Sequence, residues 1–406
     1  MREPVSGEAR QTLPGGPEPI STDQAGITQI LRTAVQEGAS DLHFKASEPV
    51  LIRIKGSLLP LKVARLTPDA TEKIFEVLRP KHLSHVAGGE VQELDFSFAL
   101  AGIGRFRVNA FRQRGSLALV IRVIPNRIPD WTELNLPAAL PKLAEERRGL
   151  ILVTGTTGSG KSTTVAAVIN QINHSRTAHV VTIEDPIEFL FLNKKSSIVQ
   201  REIGVDTANF ASALRSVLRQ DPDVIMIGEM RDTETIDIAL KAAETGHLVI
   251  STAHTTDAAK TVQRLLAVFT PSEQAMMRMR LAESLRAVVS QRLLPRLDGK
   301  GVVPAVEVMV ATRAIQECIR DESRTQEVNE HIAKGRHYGM QTFDQHLLQL
   351  LQSGTISKDV ALSAASSPAD LDLQIRVGVP SEDMAIERHD YGSMSEDELA
   401  KAASES

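Results

Sequence analysis

Gly155-Thr156-Thr157-Gly158-Ser159-Gly160-Lys161-Ser162 spells GxxxxGK[ST] between an apolar run, Leu150-Ile151-Leu152-Val153, and a helix-like stretch from Thr163 to Ile172. Strand, glycine loop and helix in that order are the setting a P-loop requires. Glycines let backbone N–H groups curl around phosphate oxygens, and the helix N-terminus adds positive partial charge. Lys161 is expected to bridge β- and γ-phosphates and Ser162 to ligate Mg²⁺, with Thr156, Thr157, Gly158, Ser159, Gly160 and Thr163 completing the cradle. A nucleoside triphosphate is the expected ligand; a bare glycine-rich turn is the bland alternative, and the flanks argue against it.

Outward from the loop, short and fully apolar strand candidates alternate with helical stretches: Leu150–Thr154, His179–Ile183, Val224–Ile227 and His247–Ser251. Such runs belong to a parallel sheet covered on both faces. Beyond Ala258 the chain reads as almost wholly helical to about Ile375.

Hydrolysis needs a carboxylate to orient water, a shell for the metal, and cations for charge developing on the γ-phosphate. Carboxylates follow two of the strands, where ligands bind in open α/β sheets. Glu184-Asp185-Pro186-Ile187-Glu188 follows the second, and Gly228-Glu229 the third. Glu229 takes the place of a Walker B carboxylate, with Gly228 where an aspartate is usual. Glu184, Glu229 and Ser162 are the candidate metal ligands. His247 and His254 bracket the fourth strand and are candidates for bonding a phosphate, a water or a catalytic carboxylate. Seven residues of extended chain put them at opposite ends of it, which argues against a shared metal.

The remainder of the chain sets limits. With 406 residues and 42% hydrophobic content it has material for two or three domains. Net charge is −5, but Pro380 to Ser406 carries eight acids against Arg388 and Lys401, so the rest is close to neutral. A single cysteine, Cys318, excludes an internal disulfide framework and any multi-cysteine zinc module. No stretch approaches the roughly 18 apolar residues of a membrane span, so a membrane role is expected to come through a partner. Aromatics are 3% and no long basic run occurs, against a nucleic-acid translocase.

Residues 1–24 are rich in Pro, Gly and Glu and read as a disordered leader; the acidic tail 376–406 reads likewise. Between them, an amphipathic helix (Ile27, Ile30, Leu31, Ala34, Val35) precedes strand-like runs at 40–44, 50–54, 94–98, 105–111 and 117–124, with a helix near 68–78. That makes residues 25–124 a small α+β domain. Pro125, Pro129, Pro137 and Pro141 punctuate a linker, 125–141, and the nucleotide-binding domain is expected over 142–375.

These elements resemble the secretion-type ATPases of type IV pilus and type II secretion machines, and within them the PilT-like retraction ATPases. Ala39-Ser40-Asp41-Leu42-His43 resembles the opening of that family's PAS-like N-terminal domain, Gly155 to Ser162 its Walker A, and Thr182 to Glu188 its Asp box. Gln200-Arg201-Glu202-Ile203-Gly204 follows in order. Leu218 to Asp223 with Gly228-Glu229-Met230-Arg231-Asp232 resembles its atypical Walker B, and Glu244 to Thr255 its His box. Leu281 to Leu285 and Gly339 to Asp344 resemble retraction-branch motifs.

The resemblance implies an α/β fold: a RecA-like P-loop NTPase domain, a smaller PAS-like α+β domain before it and a helical C-terminal region. It implies ATP and Mg²⁺ as cofactors, a homohexamer, and pilus retraction with twitching motility. Its implied partners are an inner-membrane platform protein (PilC-like) and a paralogous retraction ATPase, with no nucleic acid, in the cytoplasm against the inner membrane. Nucleotide would lie between the two domains, reached by arginines of the N-terminal one. Arg107 and Arg122 match that pair, with Arg105, Arg112 and Arg114 as rivals. Assembly and secretion ATPases typically carry a tetracysteine module, which one cysteine argues against. Ala314-Ile315-Gln316 stands where retraction ATPases usually show Ala-Ile-Arg, leaving an accessory, PilU-like motor as the alternative.

Overall fold

The computed structural model describes residues 21–125 and 127–377. The expected leader and acidic tail fall mainly on residues 1–20 and 378–406, outside the described residues.

Helix α1 (Gln24–Gln36) opens the described chain, its end capped by Asp23, which accepts from Gly26 N at 2.8 Å. Strands β1 (Asp41–Phe44), β2 (Leu51–Ile54) and β3 (Ser57–Pro60) follow, then α2 (Pro68–Leu78) and the long strands β4 (Glu93–Leu100), β5 (Gly104–Gln113) and β6 (Ser116–Ile124). They form one antiparallel sheet in the order β3-β2-β1-β6-β5-β4. Alternation along β5 decides which face is covered: Phe106, Val108 and Ala110 are buried under α1 and α2 with Ile27, Leu31 and Phe75. Arg105, Arg107 and Asn109 project from the other face.

After α3 (Leu140–Leu143), the second domain runs β7 (Gly149–Thr154), α4 (Lys161–Ser175), β8 (His179–Glu184), β9 (Ser197–Glu202), α5 (Phe210–Val217), β10 (Val224–Ile227), α6 (Thr233–Glu244) and β11 (Leu248–Ala253). Next come α7 (Ala258–Leu266), α8 (Pro271–Ser284), β12 (Leu285–Pro295) and β13 (Val302–Val310). The sheet order is β13-β12-β7-β11-β10-β8-β9, parallel throughout except for β13. Its faces are sorted by parity: Ile151 and Val153 of β7 pack against α4, while Leu150 and Leu152 face the side of α5, α6 and α8. Because β7 is buried on both sides, truncating Leu150, Ile151 or Leu152 to Ala costs about 2–5 kcal/mol.

Helices α9 (Arg313–Arg320), α10 (Val328–Lys334), α11 (Phe343–Gln352), α12 (Lys358–Ala364) and α13 (Pro368–Val377) complete the chain. Phe343, Leu347, Leu350 and Leu371 pack on Leu294, Val303 and Ala305 of the β12–β13 hairpin. None of the described helices is long and apolar enough to cross a membrane.

The region after Ala258 departs from the helical expectation. Residues 285–310 are a strand pair, and the Leu281–Leu285 motif straddles the junction of α8 and β12. Short apolar runs do not reveal helix or strand by period alone. Here the outcome is set by pairing, since β12 hydrogen-bonds to β7, far earlier in the chain, from Leu285↔Leu150 to Ser290↔Thr154. The valines at 288, 289, 302, 303, 306, 308 and 310 suit a pleated surface.

Candidate functional site

The P-loop leaves the C-terminal end of β7 and enters α4 through glycines that only glycine serves well. Gly158 and Gly160 have φ of 78° and 86°, and a Cβ on Gly160 would stand 2.9 Å from Gln291 Nε2. Lys161 Nζ donates to the Gly155 and Thr156 carbonyls, 2.9 Å each. Burial pushes its ammonium below the usual lysine range, while the carboxylates of Glu229 and Glu188 pull it back up.

Thr157, Gly158, Gly160, Lys161, Ser162 and Thr163 line a cleft of about 880 Å³ at the C-terminal ends of the strands, and Glu184, Glu229 and His254, from the neighbouring strand ends, line it too. Each acid is held by its own strand. Glu184 ends β8 with only 6% exposed, accepting from Thr182 Oγ1 at 2.6 Å and Gln200 Nε2 at 3.0 Å. Burial pushes its carboxyl upward and those two donors oppose the shift. Glu229 follows β10 after Gly228, whose N–H donates to Ile183 O at 2.8 Å and whose carbonyl accepts from Thr252 Oγ1 at 2.6 Å. A Cβ on Gly228 would sit 3.3 Å from the Ile183 carbonyl, which is a physical reason for glycine where aspartate is usual.

Glu229 Oε1 meets Arg231 Nε at 2.5 Å and its Oε2 lies 3.5 Å from His254 Nε2. The bond from Glu229 holds the Arg231 guanidinium above its ordinary value. Asp232 caps α6 by accepting from Thr235 N at 2.8 Å, which fixes the short turn carrying Glu229 and Arg231.

The structure does not gather every candidate here. His247 stands at the opposite end of β11, where its Nδ1 lies 2.9 Å from the Ala242 carbonyl, so the expected catalytic placement of His247 is corrected: it helps close the turn after α6. Thr156 and Ser159 line a second cleft behind the loop. Arg107 and Arg122 are directly opposed on β5 and β6, exposed on the open sheet face, and line neither cleft; Arg122 Nε bonds Asp41 Oδ1 at 3.0 Å. The rival Arg105 reaches Glu202 of β9 at 2.8 Å and is engaged within the chain.

Three participants escaped the sequence reading. Glu188 and Arg231 were legible as charges inside motifs, yet only the fold turns them toward the cleft. Gln291, on β12, gave no signal, because its segment read as helix.

The arrangement accepts a phosphate-rich ligand at the loop and sets two carboxylates, an imidazole and a guanidinium in the same cleft. Ser162, at the start of α4, lines the same cleft as Glu184 and Glu229, and a hydroxyl and two carboxylates are groups of the kind that hold Mg²⁺.

Comparison with known proteins gives a consistent picture. A family model described as Type II/IV secretion system protein matches residues 21–367. The chain is similar to the type IV pilus retraction ATPase PilT of Pseudomonas aeruginosa, 44% identical over 84% of this chain and 98% of that one. It is also similar to the type IV pilus ATPase PilU of the same organism, 40% identical over 87% and 92% of the two chains. Its structure resembles a crystal structure of the pilus retraction motor PilT with bound ADP, at a TM-score of 0.76, 43% identity, and coverage of 85% and 98%.

Proposed function

The chain belongs to the type II/IV secretion system protein family, on its PilT-like retraction branch, and from that premise we propose how its site turns ATP hydrolysis into pilus retraction. It is an ATPase and a pilus retraction motor. The observation that carries the site assignment is Glu229, set in the same cleft as Lys161 and Ser162 and bracketed by Arg231 and His254.

In this reading the loop amides and Lys161 bind the β- and γ-phosphates of ATP. Glu229 orients the attacking water, and His254 holds the carboxylate in place and reports its state. Ser162, Glu184 and Glu229 would hold Mg²⁺, which would supply positive charge against that developing on the γ-phosphate. Glu184 is kept dry by burial and fixed by Thr182 and Gln200, so its carboxylate direction is set before substrate arrives.

Work is extracted by a homohexameric ring in the cytoplasm, held against the inner membrane by a polytopic platform protein of the pilus machine. Binding closes each N-terminal domain onto a nucleotide site, Arg107 and Arg122 supply cations at that interface, and hydrolysis reopens it. An accessory role beside a principal motor is the second reading. Gln316 in α9 and the similarity to PilU favour it.

The test is steady-state phosphate release by the purified chain, alongside twitching in a deletion strain complemented with each variant. Lys161→Ala and Glu229→Gln are expected to lose at least about 100-fold in turnover while folding normally, and to abolish complementation. Normal turnover in either would sink the site assignment. Twitching that survives deletion of the gene would select the accessory role.

A further inference from the structure

The P-loop is gripped from behind by a residue the hydrolytic reading does not use. Gln291 lies on β12 one position past Ser290, whose partner Thr154 is the last residue of β7 before the loop. Only 2% of it is exposed. Its Nε2 donates to the Ser159 carbonyl at 2.5 Å, and since a carbonyl can only accept, the amide orientation is fixed.

The fit against the loop is close at two glycines. A Cβ on Gly155 would stand 2.4 Å from the Gln291 backbone carbonyl, and one on Gly160 would stand 2.9 Å from its side-chain Nε2. These glycines therefore admit Gln291 as well as allowing the loop its curvature. Two buried polar atoms at this contact, Gln291 Oε1 and Ser159 Oγ, have no hydrogen-bond partner among the described residues. Buried polar groups are normally paired, so these two atoms mark the contact as unusual.

The strand presenting Gln291 is itself anchored. Arg292 points to the other face, its guanidinium 3.9 Å from the centre of the Phe343 ring on α11, and it donates to the carbonyl of Ala364, the last residue of α12. Thr154 Oγ1 donates to Ser290 Oγ at 3.0 Å, tying β12 to the strand the loop leaves. Gln291 is thus held by a rigid element rather than by a loop.

We infer that Gln291 is a positioning residue for ATP hydrolysis, acting through Ser159. By drawing the Ser159 carbonyl toward β12 it keeps the Gly160 amide, which points the opposite way across the same peptide plane, turned toward the ligand. Phosphate common to ATP and ADP is held by many amides at once. Alignment of the transferring group depends on the loop's fine placement, so the effect falls on turnover more than on affinity.

This inference rests on the hydrolytic reading above, so the wild-type chain is the first arm: measurable turnover there supports that reading independently of Gln291. Turnover and ADP affinity are then measured for Gln291→Met, which keeps volume and removes the amide, and for Gln291→Glu, which keeps shape and turns an acceptor toward the Ser159 carbonyl. Both are expected to lose about 10- to 100-fold in kcat, with ADP affinity within about threefold of wild type. Circular dichroism confirms that the variants fold, and Glu stands in if Met does not. A kcat within about twofold of wild type in a folded variant overturns the inference, as does loss of ADP affinity in proportion to kcat.

Discussion

Arg105 on β5 of the first domain donates to Glu202 at the end of β9 in the second, Nη2 to Oε2 at 2.8 Å, with only 17% and 4% of the two side chains exposed. The same Glu202 oxygen accepts from Ile187 N at 3.2 Å, inside the segment that begins with Glu184. One carboxylate therefore holds the N-terminal sheet and the loop beside the nucleotide cleft.

Removing one partner strands the other charge in a dry interface. Arg105→Ala is expected to destabilise the chain by about 3–5 kcal/mol, most of it the cost of leaving Glu202 unpaired. Arg105→Met combined with Glu202→Gln is expected to restore much of that, because no buried charge remains. A double-mutant cycle from denaturant midpoints measures the coupling. Equal midpoints for Arg105→Ala and wild type would show that water enters and solvates the carboxylate.

How much of this was legible beforehand follows from where each contact originates. The P-loop, β7, α4 and the acids after β8 and β10 are written locally, in glycine placement and apolar runs, and they appear as expected. The Arg105–Glu202 pair joins residues 97 apart in the chain, so no window along the sequence contains it. Strand β12 is not legible in its own segment for the same reason, since its partners on β7 and β13 decide its conformation. Gln291 was lost with it. The seven-residue spacing of His247 and His254 did foretell their separation, because an extended strand fixes it geometrically.

Two buried titrating groups on facing elements should oppose each other in the pH dependence of stability. Burial pushes Glu307 on β13 from 4.5 up to about 7, although it accepts from Ala258 N at 2.8 Å. Between about pH 4.5 and 7 the folded chain keeps a proton that the unfolded chain has released, so stability falls as pH rises through that window. Burial takes His346 on α11 from 6.5 down to about 4, its Nδ1 accepting from Val306 N at 2.9 Å. Between about pH 4 and 6.5 the unfolded chain takes up a proton the folded chain refuses, so stability rises with pH. At about 1.4 kcal/mol per unit each effect is on the order of 3 kcal/mol, and they cancel where the windows overlap. Glu307→Gln keeps an acceptor for Ala258 and is expected to gain stability over wild type progressively from pH 4.5 to 7, then level off. His346→Gln is expected to gain as pH falls from 6.5 to 4. Thermal midpoints across pH 4–8 check both; a flat difference for either variant would mean that group titrates freely in the folded chain.

Arg107 and Arg122 raise the remaining question, because two cations directly opposed on neighbouring strands repel one another. Asp41 offsets only Arg122, at 3.0 Å, and Arg107 is exposed. An isolated chain gains nothing from Arg107, so Arg107→Ala should leave its stability within about 0.5 kcal/mol or raise it slightly. If the face carrying Arg107 closes on phosphate in an assembled ring, the same variant should lose at least about 10-fold in turnover there, since a guanidinium fork stabilises charge that develops only in the transition state. The measurement is ATP turnover per site against protein concentration, with mass determined by light scattering at each point. Wild type should gain turnover as rings form, and Arg107→Ala should form the same rings without that gain. Identical concentration profiles for the two proteins would leave Arg107 no part in hydrolysis and turn attention to Arg122, whose loss also frees Asp41.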